Sequence, residues 1–171
     1  LDRVLNAAKS RNADIIVELI SDNPLIDSNV IDYVVQFYLD NNYDYVSNFI
    51  PKITFPTGIG VQVFSIDLLE EVSMLTNDPQ DLGYTKNREN VTWYIYHHKE
   101  RYRVGNFEAM GIFKNPRIRF DLDNPEDFEF IKKIYENFNS LTVPLKDVLE
   151  FLMKNPELLQ INQKYLTGDE N

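Results

Sequence analysis

The chain has no cysteine among its 171 residues. That excludes a disulfide framework, a thiolate nucleophile and any cysteine-held zinc or iron–sulfur centre. Histidine is nearly as scarce, present only as His97 and His98, so a histidine-rich metal cage is excluded too. Positive charge is short: 17 Lys and Arg stand against 27 Asp and Glu, a formal net charge of −10. Duplex binding needs a phosphate-neutralising surface, so the balance argues against DNA packaging and general RNA binding. No apolar run approaches the roughly 20 residues of a membrane span. No charged leader with an apolar core opens the chain either. The expectation is a cytoplasmic protein with no nucleic-acid and no membrane partner.

What is present supports a packed core. The sequence is 43% hydrophobic and 13% aromatic, too apolar for a disordered chain. At about 150 residues per domain, one domain over 1–171 is expected. The opening residues Leu1 to Leu5 read as helix with no cap, and the first residue is not Met. The expectation is that an upstream portion has been cut away.

Hydrophobic spacing predicts helices over 1–12, 28–41 and 65–75, the second capped by Ser28 and the third by Ser65. Further helices are predicted over 88–98, from Pro125 to about 138, and from Pro144 through 153. The β-branched run over 14–20 predicts a buried strand. Strands are also predicted over 44–49, 61–64, 102–107 and 117–122. Residues 51–60 hold two prolines and two glycines and read as a loop. The tail from Gly168 is polar and expected to fray. Strands alternating with helices give an α/β class, a mostly parallel sheet covered by helices on both faces.

In such sheets ligands bind beyond the carboxyl ends of the strands. Asp22 follows the strand ending at Ile20, and Asp121 and Asp123 end the strand that begins near Arg117. Carboxylates from two strand ends can converge on one hard cation, and Mg²⁺ uses one or two of them with water and phosphate oxygens. Such a metal would let an acidic protein handle a polyphosphate. Each carboxylate also has a structural use. Asp22 before Asn-Pro suits an Asx turn, and Asp121 or Asp123 before Asn-Pro-Glu-Asp suits a helix cap. Adjacent His97 and His98 face different directions on a helix and make a poor chelating pair. Arg88 and Arg119 each adjoin a candidate site loop. The stretch Phe55-Pro56-Thr57-Gly58-Ile59-Gly60 could bring backbone amides to a ligand or be an ordinary turn.

Five segments then occur in one order. They are Leu1-Asp2-Arg3; Ser21-Asp22-Asn23-Pro24-Leu25-Ile26-Asp27; the run from Thr54 through Ser65; Arg88-Glu89-Asn90-Val91-Thr92 with Tyr94-Ile95-Tyr96; and the run from Asp123 through Ile131. Together they resemble the spore-coat polysaccharide biosynthesis (SpsF-type) cytidylyltransferases, which are similar to the enzymes that make CMP-sialic acid and CMP-ketodeoxyoctulosonate. The resemblance implies a Rossmann-like nucleotidyltransferase sheet and the joining of a nucleoside triphosphate, CTP first, to a sugar or sugar acid with release of pyrophosphate. It implies Mg²⁺ held by Asp22 and Asp123, with Asp22, Asp123 and Arg88 as catalytic residues. It places Pro24, Leu25, Gly58, Gly60, Gln62, Glu89 and Thr92 at the substrates, and makes a homodimer through residues 46–64 plausible by analogy. The family commonly carries Asp and Glu where this chain has Gly60 and Gln62, and His where it has Asn90. Its N-terminal strand and nucleotide-binding loop are expected to precede Leu1. The alternative is a non-catalytic relative serving as a binding or regulatory module.

Overall fold

The computed structural model describes residues 1–166, so the predicted fraying from Gly168 lies outside the described residues. Helix α1 (Asp2–Ser10) leads to strand β1 (Ile15–Leu19), helix α2 (Ser28–Asp40) and strand β2 (Tyr45–Ser47). Strand β3 (Val61–Ser65), helices α3 (Ile66–Leu75), α4 (Tyr84–Glu89) and α5 (Trp93–His97), and strand β4 (Val104–Asn106) follow. Helices α6 (Pro125–Phe138) and α7 (Leu145–Lys154) and short 3₁₀ turns complete the described chain.

The strands form one four-stranded sheet in the order β1-β3-β2-β4. It is mixed rather than mostly parallel. Strand β3 runs antiparallel to both β1 and β2, and only β2 and β4 pair in parallel. The cause is the connection between β2 and β3: it contains no helix, and a parallel neighbour needs a long crossover. Strand β1 is not the buried strand its composition predicts. It ends the described sheet, and Ile15, Val17 and Leu19 are 37%, 38% and 41% exposed while Ile16 faces the core.

Alternation along the strands divides the core between two faces. Val46, Val61 and Val63 pack with Val34 of α2, Phe130 and Ile134 of α6, and Leu149 of α7. Tyr45, Phe64 and Ile16 pack with Leu5 of α1, Leu69 and Val72 of α3, and Ile95 of α5. The sheet is therefore covered by helices on both sides, as the alternating pattern predicts.

Local chemistry fixes most helix starts. Ser65 Oγ accepts from the Leu68 N–H at 3.1 Å, the expected cap of α3. Helix α2 is capped by Asp27 instead of Ser28, through the Asn29 N–H at 2.7 Å. Asp27 also accepts from the Leu145 N–H at 2.6 Å, so one carboxylate ties the starts of α2 and α7. Pro125 begins α6, inside a reciprocal cap between Asn124 and Asp127.

Two predicted elements take other forms. The helix expected over 88–98 is broken into α4 and α5, because Asn90 adopts an extended backbone and the Thr92 hydroxyl donates across to Gln62. The strand expected over 117–122 forms a single parallel bridge, Thr57 with Arg119. Beyond that bridge Gly58, at φ +79°, lies against the Phe120–Asp121 backbone without extending the ladder.

Candidate active site

The chain leaves β1 into a tight loop over 20–27. The Asn23 N–H donates to the Ile20 carbonyl and the Ile26 N–H to the Asn23 carbonyl, both at 3.3 Å. Leu25 anchors this loop in the core, and the Tyr135 hydroxyl donates to the Pro24 carbonyl at 2.6 Å. The segment 117–123 is drawn alongside. Phe120 is fully buried, and the Leu122 N–H donates to the Asp22 carbonyl at 3.0 Å. Asp22 thus stands beside Asp121 and Asp123.

Those neighbours leave an electrostatic mark. The Asp22 carboxyl is pushed above its ordinary range, first by burial and then by the facing charges of Asp123 and Asp121. Arg119 is the counter-charge. Its Nη1 donates to Asp121 Oδ2 at 3.0 Å, its Nη2 to Asp123 Oδ2 at 2.5 Å, and its Nε to Asp127 Oδ1 at 3.1 Å. Burial alone would raise the Asp127 carboxyl. Hydrogen bonds from Arg119, Asn162 and Asn124 outweigh it and hold the group below the ordinary carboxylate range. Asn162 completes the clamp by donating to Asp127 Oδ1 and to the Arg119 carbonyl.

The loop over 54–60 forms the opposite wall. The Thr57 hydroxyl donates to Asp121 Oδ2 at 2.5 Å. A Cβ at Gly58 would lie 2.4 Å from the Phe120 carbonyl carbon, so only glycine lets the two backbones meet. A Cβ at Gly60 would lie 2.9 Å from the Phe49 ring. Asn48 pins the far end of the loop: its Nδ2 donates to the Ile59 carbonyl at 2.7 Å, and its Oδ1 accepts from the Val61 N–H at 2.8 Å. Asn23, 6% exposed, is a different case. Its Oδ1 has no hydrogen-bond partner among the described residues, a deficit that ordinarily costs about 1–3 kcal/mol.

The structure therefore brings Asp22, Asp123, Asn23, Gly58 and Gly60 to one corner, with Pro24 and Leu25 beneath it. It does not bring Arg88 there. The Arg88 guanidinium donates to the Ser73 carbonyl at 3.1 Å and pairs with Asp2, which ties α4 to α3 and α1. Gln62 and Thr92 form a separate buried group. Gln62 Oε1 accepts from the Tyr45 hydroxyl at 2.6 Å and from the Thr92 hydroxyl at 2.5 Å. That group lies on the Tyr45 and Phe64 face of the sheet, because Gln62 alternates with Val61 and Val63. Glu89 is exposed at the end of α4.

Among the described residues no group of three or more acidic or histidine side chains is arranged to hold a metal ion. Asp22 and Asp123 nonetheless fit a hard cation. They offer oxygen donors, and the Asp22 carboxyl faces those of Asp123 and Asp121. Mg²⁺ needs only one or two protein carboxylates when phosphate oxygens and water fill the remaining positions. No described helix is long and apolar enough to cross a membrane.

A mixed sheet flanked by helices on both faces, with an acidic corner beyond β1, defines an α/β protein of the nucleotidyltransferase type. The family model described as cytidylyltransferase matches residues 1–150. The chain belongs to the cytidylyltransferase family. It is 34% identical over 164 residues to an uncharacterized protein of Methanocaldococcus jannaschii, covering 95% of this chain and 63% of that one. It is 31% identical over 158 residues to the spore coat polysaccharide biosynthesis protein SpsF of Bacillus subtilis, covering 92% and 62%. A solved cytidylyltransferase from Leptospira borgpetersenii superposes with a TM-score of 0.81 at 30% identity, covering 93% of this chain and 64% of that one. The chain thus spans less than two thirds of each of these relatives.

Proposed function

We propose that this chain carries the acidic half of the active site of an SpsF-type, Mg²⁺-dependent cytidylyltransferase. In this reading the enzyme joins CTP to a sugar or sugar acid and releases pyrophosphate, for surface polysaccharide or glycan synthesis. The observation that carries it is the meeting of Asp22 with Asp123 beyond the end of β1, in a member of this family. Asp22 and Asp123 would hold Mg²⁺. When bound, the ion neutralises phosphate charge at the triphosphate.

The chain's own residues do the positioning. Arg119 fixes Asp123 and Asp121 so that they face Asp22. Pro24 and Leu25 form the floor, and Gly58 and Gly60 the wall against which the sugar lies. A sugar oxygen attacks the α-phosphorus in line while these walls hold it in place. Gln62 and Thr92 act from behind, by fixing the start of α5 against the sheet, and Arg88 by fixing α4 against α3 and α1. The reading extends to one nucleotidyltransferase-like domain, a cytoplasmic location and a homodimer.

The test uses the full-length protein as its gene encodes it. Pyrophosphate release from CTP should require both Mg²⁺ and the right sugar. Asp123→Ala should lower it by about 100-fold or more, because one of the two carboxylates that would hold the ion is lost. Full activity in that variant overturns the metal assignment. Turnover by the parent protein without any divalent ion overturns the mechanism.

A further inference from the structure

The hydrogen bonds at the acidic corner are unevenly spread over the carboxylate oxygens. Asp123 accepts Arg119 Nη2 on Oδ2 at 2.5 Å, and its Oδ1 has no hydrogen-bond partner among the described residues. Asp121 accepts Arg119 Nη1 at 3.0 Å and the Thr57 hydroxyl at 2.5 Å, both on Oδ2. Asp127 is fully buried and committed through both oxygens, to Arg119 on each and to Asn162 and Asn124 besides. Asp123 and Asp121 are thus each left with one oxygen outside the clamp, beside the Asp22 carboxyl.

Arg119 is not free to leave. Its side chain is 14% exposed. Asp127 holds it at Nε and Nη2, at 3.1 and 3.3 Å. Asn162 Nδ2 donates to its carbonyl at 3.1 Å, and its backbone is bridged to Thr57.

Hard cations use carboxylates in two ways. Ca²⁺ takes about six to eight oxygens in flexible geometry and often chelates through both oxygens of one carboxylate. Mg²⁺ demands a small octahedron and keeps several waters, so single carboxylate oxygens suit it. An ion chelated by both Asp123 oxygens would sit against the Arg119 guanidinium, where two positive charges repel at short range. An ion on Oδ1 alone keeps the carboxylate between itself and the arginine.

We propose that Arg119 makes this corner select Mg²⁺ over Ca²⁺, by holding Asp123 and Asp121 to one oxygen each. Arg119 is then a positioning residue, acting on the ion through the two carboxylates. The inference rests on the metal reading above, and it adds the residue that sets the choice of ion.

The test measures binding by the full-length protein without CTP or sugar, so that it does not depend on turnover. Mn²⁺, which carboxylates also bind, is followed by electron paramagnetic resonance and displaced by added Mg²⁺ or Ca²⁺. Asp22→Asn should lose the bound Mn²⁺, which locates the signal at the corner. In the parent, Mg²⁺ should displace Mn²⁺ at lower concentration than Ca²⁺ does. Arg119→Gln combined with Asp127→Asn removes both charges of the clamp together, so no carboxylate is left buried alone. The affinity ratio should move toward Ca²⁺ by about tenfold, the scale on which a ligand's hydrogen-bond partner alters metal binding. Arg119→Lys replaces the planar fork by one flexible ammonium. It should move the ratio the same way, and serves if the double variant fails to fold. A merely structural role would change both affinities alike and leave the ratio where it was. An unchanged ratio in the folded variants, a parent that prefers Ca²⁺, or bound Mn²⁺ that survives Asp22→Asn overturns the proposal. Failure of the broader reading shows differently: the parent then binds no Mn²⁺ at millimolar concentration, and the proposal falls with it.

Discussion

Asp127 receives Arg119 through two nitrogens, Nε to Oδ1 at 3.1 Å and Nη2 to Oδ2 at 3.3 Å, and its side chain is completely buried. The same carboxylate accepts from the Asn124 N–H at 3.0 Å as the cap of α6. One group thus anchors the arginine of the acidic corner and starts a core helix.

Asp127→Ala should therefore destabilise the protein by about 3–5 kcal/mol, the usual loss when a buried charge is left without its partner. Urea denaturation at pH 7 measures it. The native carboxyl titrates below its unfolded value. Its stabilisation is present above the unfolded pKa and fades as pH falls through the folded one. The gap between parent and variant should close in acid.

Gly58→Ala should cost about 2–3 kcal/mol. The added Cβ meets backbone at 2.4 Å, and the residue stands at φ +79°, a conformation that alone strains a non-glycine residue by about 1–3 kcal/mol. Thermal unfolding reads the loss. A Tm within a degree of the parent would show that the two loops separate freely.

Arg88→Met should lower stability by about 1.5–3 kcal/mol, the worth of hydrogen bonds from a charged donor. The guanidinium serves Ser73, Thr76 and Asp2. Per folded molecule, the KM values for CTP and sugar should stay within about twofold, because none of those partners lies at the acidic corner. A large KM change with unaltered stability would return Arg88 to the substrates.

Gln62→Glu introduces the residue that the family resemblance calls for. Both hydroxyls that Gln62 accepts from could still donate, but Glu18 stands directly opposite on β1. Gln62 now donates to Glu18 at 3.3 Å, and burial already holds the Glu18 carboxyl above its ordinary range. A second carboxylate should destabilise the pair by about 1 kcal/mol at pH 7. As pH falls and the two acids take up protons, the penalty should disappear. Equal stability of parent and variant from pH 4 to 8 would contradict this.

The helices were the legible part of the fold. Ser65 before Leu68 and Leu69, and Pro125 inside Asn-Pro-Glu-Asp, mark starts that the backbone uses as written. Strand order was not legible. Nothing in Val61 to Ser65 states that β3 inserts between β1 and β2, because pairing partners lie far apart in the chain. The acidic corner was half legible. Arg119, Asp121 and Asp123 alternate, so an extended segment turns all three to one side. That period-two spacing announces the clamp, whereas Asp127 reaches Arg119 only after the chain has turned into α6. Asn23 and Asn48 carried no signal, since their surroundings are loop backbone and cavity walls.

The place of β3 also orders events in time. Val63 lies opposite Val17 on one side and Val46 on the other, so β1 and β2 never touch as partners in the sheet. During synthesis they must wait, unpaired, until the chain has been made through Ser65. Refolding kinetics should then show substitutions at Val61 or Val63 slowing folding, since each loosens both pairings of β3 at once.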